Sequence, residues 1–149
     1  MPEAAPPRGF VLGFDFGLKR IGIAVAQTTT ATASALQTVS HRQQPDWVAI
    51  ERLVREWRPG LFVVGLPLGI DGEETSMSRA ARQFGQALQT RFERDCVFVD
   101  ERLSSRAAHS RFVGMRAEGI MKRKHADKLD SMAAQIILET WLKSSPDPT

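Results

Sequence analysis

The chain has a single cysteine, Cys96, no tyrosine, and only 7% aromatic residues among its 149. One cysteine excludes an internal disulfide and a cysteine-based zinc cluster. No stretch reaches the roughly 18 apolar residues of a membrane span. The start, MPEAAPPRGF, has neither a basic flank nor a long apolar run, so no secretory signal is expected. These absences point to a cytoplasmic protein without a membrane partner. The lack of tyrosine and of any aromatic cluster argues against a platform that stacks the bases of single strands. Trp47 and Trp57 recur at helical spacing with Ile50 and Val54, which reads as core.

What is present fits one domain. A content of 42% hydrophobic and 25% charged residues lies near the globular norm. At this size a chain buries roughly 68–70% of its unfolded surface, enough for a core without staples. The net charge of +3 is mild, but its distribution is not. Residues 102–128 hold Arg102, Arg106, Arg111, Arg116, Lys122, Arg123, Lys124 and Lys128 against Glu118 and Asp127, a balance of 8 − 2 = +6. The remainder carries 12 basic and 15 acidic residues, or −3. A one-sided basic segment suggests a polyanionic partner; a solvated basic loop is the bland alternative.

Periodicity predicts a hairpin-rich start and then alternating strands and helices. FVLGFDF at 10–16, RIGIAVA at 20–26 and a weaker run at 33–39 read as strands. Asp46 is placed to cap a helix that Arg58-Pro59-Gly60 ends. LFVVG at 61–65 reads as a strand buried on both faces. Thr75 or Ser76 opens a second helix, CVFV at 96–99 is a fifth strand, and helices follow at about 105–113 and 126–142. The order βββαβαβαα predicts an α/β domain over 10–142, a mixed five-stranded sheet flanked by helices. Residues 1–9 and 143–149 are expected to be flexible tails.

Three acids stand where their surroundings disfavour charge. Asp15 lies inside an apolar strand, which is costly without a cation or hydrogen bonds. Glu101 follows the fifth strand beside Asp100, and alternation sends the two to opposite faces. Asp130 shares a helix face with Ala133, Ala134, Ile137 and Trp141. Asp127 precedes it by one turn, as a further ligand or as the helix N-cap. If these acids converge, they make an oxygen-only cluster suited to Mg²⁺ or Mn²⁺. Two such ions can clamp the attacking and leaving oxygens of a phosphodiester.

Four segments, in order, resemble the YqgF-type proteins, a family of pre-16S ribosomal RNA nucleases also described as Holliday-junction-resolvase-like. They are GFDFGLKRIGIA at 13–24; VGLPL at 64–68 with Asp71-Gly72; DERLS at 100–104; and KLDSMAA at 128–134 running into Ile136-Ile137-Leu138. The resemblance implies a ribonuclease-H-like fold, Asp15, Glu101 and Asp130 as metal-binding catalytic acids, and maturation of the 16S rRNA 5′ end. Asp127-Lys128-Leu129-Asp130 fits the D-x-x-D of related resolvases and raises Asp127 as a fourth ligand. Lys19, Arg20, Arg102, Arg106, Lys122, Arg123, Lys124 and Lys128 become candidate contacts to nucleic acid. Arg102 could equally pair with Asp100. Leu18 stands where many relatives have a small hydroxyl residue. Precursor rRNA is the favoured substrate, with branched or single-stranded DNA as the alternative. A junction-resolving enzyme would be a homodimer, because it must cut two strands symmetrically. A non-catalytic RNA-binding assembly factor is the third reading.

Overall fold

The computed structural model describes residues 9–103 and 126–144. Eight elements are defined among them: β1 (Phe10–Asp15), β2 (Arg20–Gln27), β3 (Thr32–Ser40), α1 (Trp47–Trp57), β4 (Leu61–Leu66), α2 (Ser76–Phe92), β5 (Asp95–Asp100) and α3 (Ala126–Ser144). The helix expected at 105–113 and most of the expected tails lie outside the described residues. Gly9 belongs to the fold, since its N–H donates to the Thr28 hydroxyl at 3.1 Å. The last helix runs two residues beyond the expected end.

The five strands form one sheet in the order β3-β2-β1-β4-β5. The short β1–β2 and β2–β3 connections give antiparallel pairs. β4 and β5 return through helices and lie parallel to β1 and β4, respectively. This is the mixed five-stranded α/β sheet expected. β3 is an edge strand whose residues are mostly exposed or half-buried, which is why its hydrophobic signal is weak.

Strand alternation divides the core between the two faces. Leu12, Phe14, Ile21, Ile23, Phe62 and Val64 point to one face and pack with Ile50 and Val54 of α1 and Phe84 and Leu88 of α2. Val11, Ala24, Val63 and Val99 point to the other face, against Ala134, Ile137 and Leu138 of α3. β1 and β4 therefore need apolar residues at every position, and FVLG and LFVV supply them. Asp46 caps α1, accepting from the Ala49 N–H at 3.1 Å. Thr75 and Ser78 form a capping box on α2. Trp47 and Trp57 pack on the α1/α2 core, as their spacing predicts.

Cys96 is half-buried in β5 and packs toward Gly85 of α2. Burial pushes its thiol up to about 12. At pH 8 the folded protein thus holds about 10³-fold less thiolate than free cysteine. The folded thiol is expected to react slowly with a disulfide reagent and fast after unfolding in urea. Rapid labelling of the folded chain would contradict this.

Candidate active site

The acids gather at one end of the sheet, on the face that α3 covers. Asp15 is the last residue of β1 and pairs in register with Gly22. Its neighbours in alternation, Val11 and Gly13, face α3, so Asp15 does too. β5 pairs with β4 up to Leu66↔Asp100, and the Glu101 N–H donates to the Leu66 carbonyl at 3.0 Å. The ladder thus carries one residue further. Val97 and Val99 pack on the α3 side, and Glu101 continues their alternation. It lies against Gly65, where a Cβ would stand 3.0 Å from its Cγ.

Asp130 reaches the same place from the other layer. α3 lies so close to the sheet at Gly22 that a Cβ there would collide with the Asp130 carbonyl. Glycine at 22 therefore sets the approach of the helix and brings Asp130 beside Asp15. Gly65, under Ile137, has the same role on β4.

The electrostatics follow from this crowding. Burial, then the nearby Glu101 charge, a hydrogen bond to Glu101 and the Asp130 charge hold the Asp15 carboxyl well above the usual range. Glu101 is also raised, by burial first, although its hydrogen bond from Asp15 works the other way. Their shared hydrogen bond raises Asp15 and lowers Glu101, so of the two carboxyls Asp15 is the one whose neutral form is favoured. Asp130 is instead paired with Arg20, Nε to Oδ2 at 2.6 Å. Among the described residues, no three His, Cys, Asp or Glu side chains stand in a ligating arrangement. In donor chemistry the set nevertheless fits a hard divalent cation, because two desolvated carboxyls share one proton beside a third acid. A cation could replace both the shared proton and the Arg20 contact.

Asp100 faces away from this cluster. Arg102 donates to it from Nε at 3.0 Å and from a terminal nitrogen at 2.6 Å, which holds the Asp100 carboxyl below its usual range. Of the two readings of Arg102, the pairing with Asp100 is therefore realised. The same guanidinium donates to the Ile70 carbonyl at 3.1 Å, which ties the loop after β4 to the segment carrying Glu101. Lys19 sits exposed in the β1–β2 turn. Asp127 and Lys128 belong to α3 by their backbone, but their side chains lie outside the described residues, as do Arg106, Lys122, Arg123 and Lys124. Sequence reasoning missed the Arg20–Asp130 pair, whose residues are 110 apart.

The family model RuvX, described as a Holliday junction resolvase, matches residues 9–144. A protein of Xanthomonas euvesicatoria pv. vesicatoria named "Putative pre-16S rRNA nuclease" is 44% identical over 150 residues, covering 99% of this chain and 96% of its own length. A protein of the same name from Hydrogenovibrio crunogenus is 46% identical over 138 residues, covering 92% of this chain and 96% of its own. Among solved structures, Thermus thermophilus RuvC in complex with a Holliday junction substrate superposes with a TM-score of 0.53. That match is 14% identical and covers 91% of this chain and 96% of the other. At that identity it speaks for the fold alone.

Proposed function

The chain belongs to the RuvX family, the YqgF-type proteins, and from that premise we propose that it is a divalent-cation-dependent nuclease acting on precursor 16S rRNA in the cytoplasm. The observation that carries the reading is the proton-sharing Asp15–Glu101 pair beside Asp130 at the mouth of the sheet. Isolated carboxyls would not be buried together without a compensating ligand. Asp15, Glu101 and Asp130 are the residues that would hold Mg²⁺ or Mn²⁺, with Asp127 as a candidate fourth. When bound, such a cation supplies charge neutralisation at the phosphodiester and acidifies water.

The chain's own residues do the rest. With the Asp15 proton lost to solvent, both members of the pair would be available as carboxylates to hold the cation. Arg20, at the start of β2, exchanges Asp130 for a substrate phosphate. Lys19 extends that positive edge along the β1–β2 turn. Arg102 positions the loop after β4 through the Ile70 carbonyl and keeps Asp100 neutralised. The basic segment from Arg106 through Lys122, Arg123, Lys124 and Lys128 grips the backbone. No helix among the described residues is long and apolar enough to cross a membrane, in keeping with a substrate met in solution.

The test sets a 5′-extended 16S precursor fragment against a four-way DNA junction, with Mn²⁺ or with chelator. Cleavage of the RNA with Mn²⁺, none with chelator, and weak competition by the junction are expected. Paired, symmetric cuts in the junction by a dimer would replace this reading with a resolvase. RNA binding that persists when the acids are substituted, with no cleavage under either metal, would leave an assembly factor.

A further inference from the structure

Far from the acids, four arginines line one cleft. It measures about 760 Å³ and lies between α1 and the C-terminal end of α2, bordered by Arg55, Arg58, Arg91 and Arg94 with Glu51 and Trp47. Four cations against one carboxylate leave +3. The adjacent acids Glu56, Glu93 and Asp95 do not line it.

Helix ends account for only part of this charge. Each C-terminus presents about half a negative charge. Two of them call for one cation, not three in excess. One carbonyl at each helix end is moreover already capped, by the Arg58 N–H on Val54 at 2.8 Å and the Glu93 N–H on Gln89 at 2.9 Å. Arg55 is paired with Glu51 at 2.6 Å. Among the described residues, neither Arg58 nor Arg91 has a carboxylate partner.

The cleft is shaped for phosphate and not for bases. Its one indole, Trp47, packs against the rings of Phe84, stacked at 5.8 Å, and Phe92, at 6.4 Å, and carries the Arg91 guanidinium 4.2 Å from its ring centre. The contact fixes Arg91 in place and leaves its N–H groups for an anion. Arg94 donates to the Phe92 carbonyl at 2.6 Å, which holds a second guanidinium still. Planar, pre-ordered guanidinium groups are the side chains best suited to phosphate oxygens.

Position decides which phosphates these are. α1 ends just before β4 begins, and α2 just before β5 begins. The cleft therefore lies at the opposite end of these strands from Glu101, and on the opposite face of the sheet. A six-residue strand separates the two by roughly 20 Å. We propose that this cleft docks the phosphate backbone of an RNA segment remote from the cleavage point. The proposal rests on precursor rRNA being the substrate. It implies that a large folded RNA is held at two places, the acids and the arginines, and a short fragment at one.

The test uses the full chain with Asp15→Asn, so that nothing is cut, and adds Arg58→Asn with Arg91→Gln. Asparagine suits position 58 because that residue adopts the left-handed conformation, φ 45°. Thermal melts check the fold, and Arg58→Lys with Arg91→Lys restores the charge. Binding of a structured precursor fragment is expected to weaken by about tenfold or more, with a log–log salt slope lower by about 1.4–1.8 for two lost phosphate contacts. The lysine pair should recover the slope. Binding of a short fragment that fills only the acid site should not change. Equal affinity and slope for the long RNA, or equal losses on long and short RNA, would overturn the proposal. So would full competition by millimolar inorganic phosphate, which would make this a small-anion site. If the substrate reading itself fails, the Asp15→Asn protein prefers junction DNA, whatever the arginine substitutions do.

Discussion

Asp15→Asn is expected to abolish cleavage while making the protein more heat-stable at neutral pH. On the proposed reading, in which Asp15 would help to hold a catalytic cation, the activity loss should be about 10³-fold or greater, several kcal/mol at the transition state. The stability gain has the opposite sign to that of an ordinary salt-bridged aspartate. Asp15 titrates well above its ordinary value because it is buried beside Glu101 and Asp130. Its neutral form is the one the fold favours. Its contribution is therefore most favourable near pH 4 and is lost as pH rises from the ordinary carboxylate value through the raised one. Asparagine removes the penalty and keeps the shape. At pH 7.5 without divalent ions the variant should melt higher, by about 2–4 °C for each kcal/mol relieved, and at pH 4 the two should melt alike. On the same reading, adding Mn²⁺ should raise the melting temperature of the wild type and not of the variant, since the proposed cation site would be complete only in the wild type. Cleavage undiminished in the variant would remove Asp15 from the chemistry. A melting point unmoved at both pH values would refute its buried, proton-sharing state.

Gly22→Ala is the second large effect, and it acts through the backbone. A single methyl group at 22 meets the carbonyl oxygen and carbon of Asp130 and stands 2.9 Å from the Ser131 nitrogen. None of these atoms can swing aside as a side-chain end would. Overpacking of this type costs about 1–3 kcal/mol and sometimes more. Whatever part of α3 moves to make room takes Asp130 with it, and a displacement near 1 Å can cost about 10²-fold in rate. Both the urea midpoint and turnover should fall. Gly69→Ala is the comparison, because its added methyl meets only the Glu73 carboxylate, the far end of a flexible chain. A Gly22→Ala protein with the stability and rate of wild type would mean that α3 does not rest on β2 as described.

Most of the architecture was legible from local pattern. FVLGFDF reads as a strand and LFVVG as one buried on both faces, and Asp46 and Thr75 cap the helices expected of them. Asp15 and Asp130 could be singled out because each is a charge among apolar residues, a local contradiction. The choice between Asp100 and Glu101 could not be made locally. It depends on the Leu66↔Asp100 register and on the extra rung from Glu101 to Leu66. The need for glycine at 22 has no local signal, because the helix that requires its missing side chain begins more than 100 positions later. The arginine cleft was hidden for a related reason. In sequence, Arg55, Arg58, Arg91 and Arg94 alternate with Glu51, Glu56, Glu93 and Asp95, so any window of charge nearly cancels. Only folding gathers the four arginines on one cleft with Glu51 and leaves Glu56, Glu93 and Asp95 outside its lining.

The layout of the site also bears on how the protein is made. The three acids sit on the first strand, just after the fifth strand, and on the last helix of the described fold. α3 also buries the second face of the sheet through Ala134, Ile137 and Leu138. A growing chain emerging from the ribosome therefore has no complete acid cluster until α3 has been synthesised. The step that assembles the cluster is the same one that covers the exposed face of the sheet. Translation that stops before α3 leaves an unfinished sheet and no assembled nuclease among the RNAs of the translation machinery.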